Sequence, residues 1–339
     1  MDVFMYDFNL DYVVSNSMVK SARRILIQFP DGLKGYALKV ADEISSRVAA
    51  EVIVSMDPCY GGCDLAIDDA RRLGADLIIH FGHTDFIGYS EIPVIYVPVY
   101  FRSSLRDLAR KFVEIWGSRG AVGLLSTIQH IENLSEVVDV LSSSGVPVHV
   151  GLKCGKLRFN GQVLGCEVCG AVGVADLVEG FLVISGGDFH GLGVALSTGK
   201  TTYVMDPFRG EIRCLDSLVM RVLSVRWNNI VRARDSKVFG VMIGVKPGQC
   251  KLGLALKVKG MIESSGRRCY LFSVRDFSAD LTLPFRDVDV FVSAACPRIA
   301  IEEAEAYGKP ILTPYEVKIA LSGSMNPDDM RGILNEEFE

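Results

Sequence analysis

Two stretches, GADLIIHFGHT at 74–84 and DVDVFVSAACP at 287–297, follow one pattern 213 positions apart: a polar start, an apolar β-branched run, then chemistry-bearing residues at its end. A short apolar run bounded by turn signals reads as a buried strand, and strands that alternate with helical stretches read as βαβ units feeding parallel sheets. Working outward, such runs fall into three sets of four. The first is 23–30, 51–57, 76–82 and 93–99; the second is 121–127, 146–151, 180–187 and 201–207; the third is 237–245, 268–274, 288–297 and 310–316. Each set occupies about a third of the chain. The expected fold is therefore α/β, with three similar domains, each a small four-stranded, mainly parallel sheet flanked by helices. The alternative is one large doubly wound sheet with insertions. Boundaries near 101–118 and 208–236 divide the chain into domains 1–110, 111–225 and 226–339, the second lying in a long helix, CLDSLVMRVLSVRWNNIVRARD. No Pro-rich or low-complexity linker separates the three, so they should pack closely.

The composition limits the functional classes. With 49% hydrophobic and 23% charged residues among 339, the chain can bury a large core. No apolar run approaches the ~18 residues of a membrane helix. The start, MDVFMYDFNLDYVV, lacks the basic region, apolar core and cleavage site of a signal peptide, so a cytoplasmic, reducing location is expected. A net charge of −5 argues against general nucleic-acid binding. Nine cysteines in such a compartment read as buried thiols or as metal or catalytic groups rather than disulfides.

In open α/β sheets, sites form at the carboxyl ends of strands. Three cysteines meet that condition. Cys59 follows the second strand in MDPCYGGCD. Cys166 lies in GQVLGCEVCG, after an expected hairpin KLRFNGQVLG turning at Asn160–Gly161. Cys296 ends a strand in SAACPRI. One thiol per unit, brought to a common centre, suits an iron–sulfur cluster with an open iron, or a catalytic zinc with a water. Cys59/Cys63 and Cys166/Cys169 could instead be local chelating or redox pairs. Cys63 is expected to open the helix CDLAIDDARRLGA as a buried spectator, and Cys154, Cys214, Cys250 and Cys269 read as structural thiols. His80 and His83 could be metal ligands, the commoner case being an imidazole satisfied by backbone.

Other segments suit a small ligand without a nucleotide fingerprint. In PDGLK, the loop amides and Lys34, with Asp31, could hold a carboxylate, although an Asp–Gly turn needs no ligand. The loop GGDFHG, with Gly186, Gly187 and His190, precedes an apolar helix and matches neither a P-loop nor GxGxxG. Lys246 and Gln249, in KPGQ, hold the equivalent place in the third unit. Arg298 is a carboxylate clamp or a partner for Glu302. The charged tail MNPDDMRGILNEEFE reads as a solvated end.

Taken in order, PDGLK, DPCYGGCDLA, GADLIIHFGHT, GQVLGC, the GGDFH loop, KPGQ and ACPRI resemble the diphthamide synthase family over about residues 23–320, and are most similar to its archaeal form. The resemblance implies a three-domain enzyme holding one [4Fe–4S] cluster with a cysteine from each domain, here Cys59, Cys166 and Cys296. It implies a transferase in which the reduced cluster cleaves S-adenosylmethionine to methylthioadenosine and a 3-amino-3-carboxypropyl radical, which adds to a histidine of translation elongation factor 2. It further implies an electron donor and a homodimer. The sequence lacks the CxxxCxxC loop of ordinary radical S-adenosylmethionine enzymes. It departs from the family pattern at Cys169, a second thiol near Cys166, and at Asp188 in the Gly-rich loop. The competing readings are a zinc- or thiol-dependent transferase and a non-catalytic partner subunit.

Overall fold

In the computed structural model, residues 5–322 and 334 are described. The first third carries β1 (Arg24–Gln28), β2 (Glu51–Val54), β3 (Leu77–Phe81) and β4 (Val94–Val97), an all-parallel sheet in the order β2-β1-β3-β4. The middle third carries β5 (Val122–Ser126), β6 (Val148–Val150), β7 (Gly180–Ile184), β8 (Thr202–Asp206) and β9 (Glu211–Cys214) in the order β9-β8-β7-β5-β6. The last third carries β10 (Val238–Gly244), β11 (Arg268–Val274), β12 (Val290–Ser293) and β13 (Ile311–Leu312), again parallel, in the order β11-β10-β12-β13. Within each third the first four strands thus lie second, first, third, fourth. This is the α/β architecture expected from the repeated strand phrases. Every residue of β3, β5, β7, β8 and β10 is buried, as parallel strands covered by helices on both faces must be.

Four local expectations are corrected. The middle sheet has a fifth strand, β9, antiparallel to β8. Pro207 to Gly210, with Gly210 at φ 66°, turns the chain back, so residues assigned to the bridging stretch form a hairpin, and the long helix spans Asp216–Arg234. KLRFNGQVLG makes the expected turn at Asn160–Gly161, Gln162 N–H donating to Phe159 O (3.2 Å), but forms no hairpin ladder. Gly161 and Val163 bond instead to Ser126 at the end of β5, with Ser126 N–H donating to Gly161 O (2.7 Å) and Val163 N–H to Ser126 O (2.9 Å). The helix expected from Cys63 begins at Ile67, because the Gln28 side chain takes up Asp64 O (2.8 Å) and the Ala66 N–H (3.2 Å) just upstream. Finally, PILTPYE is strand for only Ile311–Leu312 and then a helix, Pro314–Ser322. Thr313 and Glu316 form a reciprocal cap, Thr313 N–H donating to Glu316 Oε2 (2.7 Å) and Glu316 N–H to Thr313 Oγ1 (3.3 Å). The tail read as a solvated end lies outside the described residues except for Leu334.

The units interlock through polar side chains where the strand ends converge. Gln129 donates to Gly82 O (2.7 Å), Gln162 to Thr84 Oγ1 (2.9 Å), and Lys246 pairs with Asp64 (2.8 Å). Each contact crosses between thirds of the chain, so the junction is fixed by bonds whose loss would leave buried groups unpaired.

Candidate functional site

At this junction lies a cavity of about 200 Å³ with walls from all three thirds. Cys63, Cys166 and Cys296 line it, together with His83, His190 and Arg298. Each thiol is placed by local backbone chemistry. Gly62, just before Cys63, runs so near β3's exit loop that a Cβ would sit 2.5 Å from Thr84 O. Gly165, just before Cys166, lies against the Phe189 ring, where a Cβ would come within 2.0 Å. Cys296 ends the β12 exit, and Pro297 starts the helix Pro297–Ile301 behind it.

Of the ligands expected from sequence, Cys166 and Cys296 are at the cavity, whereas Cys59 is not among its lining residues. Cys59 is buried one layer behind, its Sγ 3.9 Å from both Gly61 O and Asp64 O and 4.0 Å from His80 Nε2. Burial pushes its thiol up to about 12. Cys63, expected to be a helical spectator, is instead in a turn facing the cavity. The third unit clamps it there: Gly248 N–H donates to Cys63 O (2.8 Å) and Gln249 Nε2 to Cys63 Sγ (3.5 Å). A Cβ on Gly248 would lie 2.5 Å from both Cys63 Cα and Cβ, so only glycine fits. The signal that could have marked Cys63 is the Gly-Cys step it shares with Cys166, the glycine being what brings backbone and thiol to the wall.

The Cys166/Cys169 pair also separates. Cys169 is bonded to Cys154 across 15 positions, with Cα atoms 6.1 Å apart, within disulfide geometry. This corrects the expectation that no cysteine is paired and that Cys154 is a plain structural thiol.

The cofactor-binding candidates divide. His190, Gln249 and Arg298 reach the cavity; Arg298 lies over the Phe189 ring at 5.4 Å and pairs with Glu302 at 2.5 Å. Burial, then the Arg298 charge, lowers His190 to about 4. Lys246 is committed to Asp64 (2.8 Å) and Asp276 (2.6 Å), bracing the wall. Lys34 donates to the carbonyls of Met56 and Asp57 (2.8 Å each) and pairs with Asp31 (2.6 Å), away from the cavity. Gly186 and Gly187 line a different cavity of about 470 Å³, shared with Asp188, Arg209, Arg213 and Glu302.

The donor chemistry distinguishes a cluster from a single ion. Ligand atoms of Cys59, His80 and His83 lie within 4.8 Å of one another, a compact mixed N/S set of the kind zinc takes, although His80 Nε2 and His83 Nδ1 already bond each other at 2.9 Å. Among the described residues, Cys63, Cys166 and Cys296 form no group that compact, yet all three line one cavity. Three thiols set around a space wider than an ion fit an iron–sulfur cluster with a fourth corner open. Burial raises Cys63 and pushes Cys296 up to about 11, so ligand formation there must release protons.

Such a fold and site define an α/β protein with a thiol-lined centre at the junction of three sheets. The chain belongs to the family described as "Putative diphthamide synthesis protein", whose model matches residues 29–330. It is 34% identical over 320 residues to the 2-(3-amino-3-carboxypropyl)histidine synthase of Pyrococcus horikoshii, covering 94% of this chain and 88% of that one. It is 29% identical to subunit 1 of the human synthase, covering 93% of this chain and 72% of that one. The crystal structure of Dph2 from Pyrococcus horikoshii with a 4Fe-4S cluster superposes with a TM-score of 0.84 at 31% identity, covering 93% of this chain and 91% of that one.

Proposed function

We propose that this chain is a transferase that moves the 3-amino-3-carboxypropyl group of S-adenosylmethionine to a histidine of translation elongation factor 2, the first step of diphthamide synthesis, by a radical mechanism. The observation that carries this reading is the convergence of Cys63, Cys166 and Cys296, one from each third, on one cavity. These three would hold a [4Fe–4S] cluster, which when bound supplies the electron that breaks the sulfonium bond. Cys63 takes the role that sequence reasoning gave Cys59. Arg298 presents a guanidinium for the carboxylate of the aminocarboxypropyl group, and His190 and Gln249 border the same space. A division at 1–110, 111–225 and 226–339 gives each domain one of these three cavity thiols, the second cut falling inside the helix Asp216–Arg234. A cytoplasmic homodimer served by a separate electron donor completes the proposal. Among the described residues no helix is long and apolar enough to cross a membrane.

A zinc enzyme is the second reading, favoured by the compact Cys59–His80–His83 set. One experiment separates them: visible and paramagnetic resonance spectra of anaerobically purified protein before and after dithionite, with S-adenosylmethionine added and the nucleoside product identified. A brown protein that yields methylthioadenosine supports the proposal. Release of 5′-deoxyadenosine would overturn the bond assignment, and a colourless zinc protein would overturn the cluster.

A further inference from the structure

Behind the cavity wall a row of hydrogen bonds fixes the protons on two histidines. Gln28 Nε2 donates to Asp64 O at 2.8 Å, and Gln28 Oε1 accepts the Ala66 N–H at 3.2 Å. The amide oxygen is thereby the atom turned to His80 Nδ1, 3.0 Å away. An oxygen there only accepts, so His80 Nδ1 carries the hydrogen. His80 is fully buried, and burial holds it neutral by lowering it well below its ordinary value, which leaves Nε2 bare. That bare nitrogen is 2.9 Å from His83 Nδ1, which must therefore donate. With Nδ1 donating, Nε2 is the nitrogen that carries the lone pair of the neutral His83 ring. Its proton is spent on His80, its Nε2 has no hydrogen-bond partner among the described residues, and His83 lines the cavity. Three side chains thus set which nitrogen of this cavity-lining ring carries its lone pair.

We propose that His83 is the catalytic base of the transfer, its Nε2 taking the proton that C2 of the acceptor imidazole gives up; this rests on the function proposed above. The balance releases one proton, which such a group can take. A sulfonium S–C bond breaks, a C–C bond forms at the imidazole C2, and the C2–H bond breaks. Sulfonium plus imidazole gives thioether plus alkylated imidazole plus one proton, and the charge closes with no net electron. The proton leaves a carbon whose deprotonation restores the aromatic ring, so it is strongly acidic. Availability of the lone pair at neutral pH then matters more than its strength. The His80 contact meets that need, because it holds the tautomer and accepts the Nδ1–H of the imidazolium that forms. Gln28 and His80 are positioning residues, acting through His83.

The test is His83→Gln in the full-length, cluster-loaded protein, with iron content, methylthioadenosine release and alkylation of purified archaeal elongation factor 2 measured on one sample. Iron and release are expected to hold while alkylation falls by roughly 100-fold or more, the usual worth of a general base. The residual alkylation should slow further when the acceptor histidine carries deuterium at C2. Nitrogen-15 spectra of histidine-labelled wild type should show the hydrogen of His83 on Nδ1, and Gln28→Leu should scramble it. Release and alkylation that fall together with iron would make His83 a structural residue, and unchanged alkylation would remove the base role. A hydrogen on Nε2, or zinc bound at Cys59, His80 and His83, would overturn the tautomer argument. A wild-type protein that releases methylthioadenosine but alkylates nothing refutes the function reading and the base role together, while the nitrogen-15 result still decides the tautomer.

Discussion

Cys59/Cys63 and Cys166/Cys169 pose the same choice in two different thirds of the chain, and the fold resolves them by different means. In the first pair the earlier thiol is withdrawn, packed against His80 behind the wall, and the later one faces the cavity. In the second, the earlier thiol faces the cavity and the later one is tied to Cys154. Order along the chain therefore decides nothing. What the two outward thiols share is a preceding glycine pressed against a neighbouring element, Thr84 in one case and Phe189 in the other. Cys63 and Cys166 thus reach the cavity where a glycine lets the backbone approach its wall closely, whereas Cys296 follows Ala295 just beyond the end of β12.

The strongest way to break that comparison is to remove the thiols one at a time. Cys63→Ala, Cys166→Ala and Cys296→Ala should each lose essentially all cluster iron and all methylthioadenosine release, whereas Cys59→Ala should keep both. Iron analysis and the visible spectrum of anaerobically purified variants check this. A Cys59→Ala protein without iron, beside a Cys63→Ala protein with it, would return the ligand role to the strand-end thiol.

A partial loss is expected from Gly248→Ala. The new methyl group would overlap Cys63 at 2.5 Å, and relieving that contact should cost about 1–3 kcal/mol while moving the Cys63 loop off the wall. The expected outcome is a lower denaturant midpoint and reduced iron per chain. The same substitution at Gly253, where nothing lies within 4 Å of the added atom, should do neither, since it removes a flexible residue from a helix without a clash.

Much of this arrangement was legible in the sequence because it rests on local pattern. β-branched runs with polar ends gave the parallel strands, and the likeness of 74–84 to 287–297 gave the repeat. What escaped depended on contacts between distant segments. Strand β9 is a short edge piece whose partner is fixed by a turn, so no apolar run marks it. The turn at Asn160–Gly161 is present, but no hairpin ladder extends from it because the end of β5 takes Gly161 and Val163 through Ser126. Cys63 does not open the expected helix, because its start is delayed by the side chain of Gln28, 36 positions before Asp64. Lys34 and Lys246 were both plausible anion binders by position, and only the fold shows their charges already used on Asp31, Asp64 and Asp276.

Acid should strain the histidine-backed wall. His83 is lowered to about 4 by burial, and His190, on another wall, equally so, whereas both rings titrate near 6.5 in the unfolded chain. Their folded values lie below the unfolded ones, so the unfolded chain binds more protons. Stability is then fully present above about pH 6.5 and is lost as pH falls from there toward 4. Each ring contributes about 2 kcal/mol of loss by pH 5. Urea midpoints at pH 7 and pH 5 measure it, and the drop should shrink in His83→Gln. An equal drop in wild type and variant would mean that His83 is not held neutral by its burial against His80.

The smallest effect on the site is expected from the Cys154–Cys169 bond. Cys169→Ala leaves the Gly165–Cys166 step and its packing on Phe189 untouched, so iron content and methylthioadenosine release should match wild type. What the bond contributes acts through the unfolded chain, by closing a 15-residue separation. Wild type and Cys169→Ala should therefore differ in denaturant midpoint when purified without reductant and coincide when a dithiol is present. If the variant instead loses iron under both conditions, Cys169 is a ligand. The two pairs would then no longer be opposite solutions to one problem, because the second would have delivered both of its thiols to the metal.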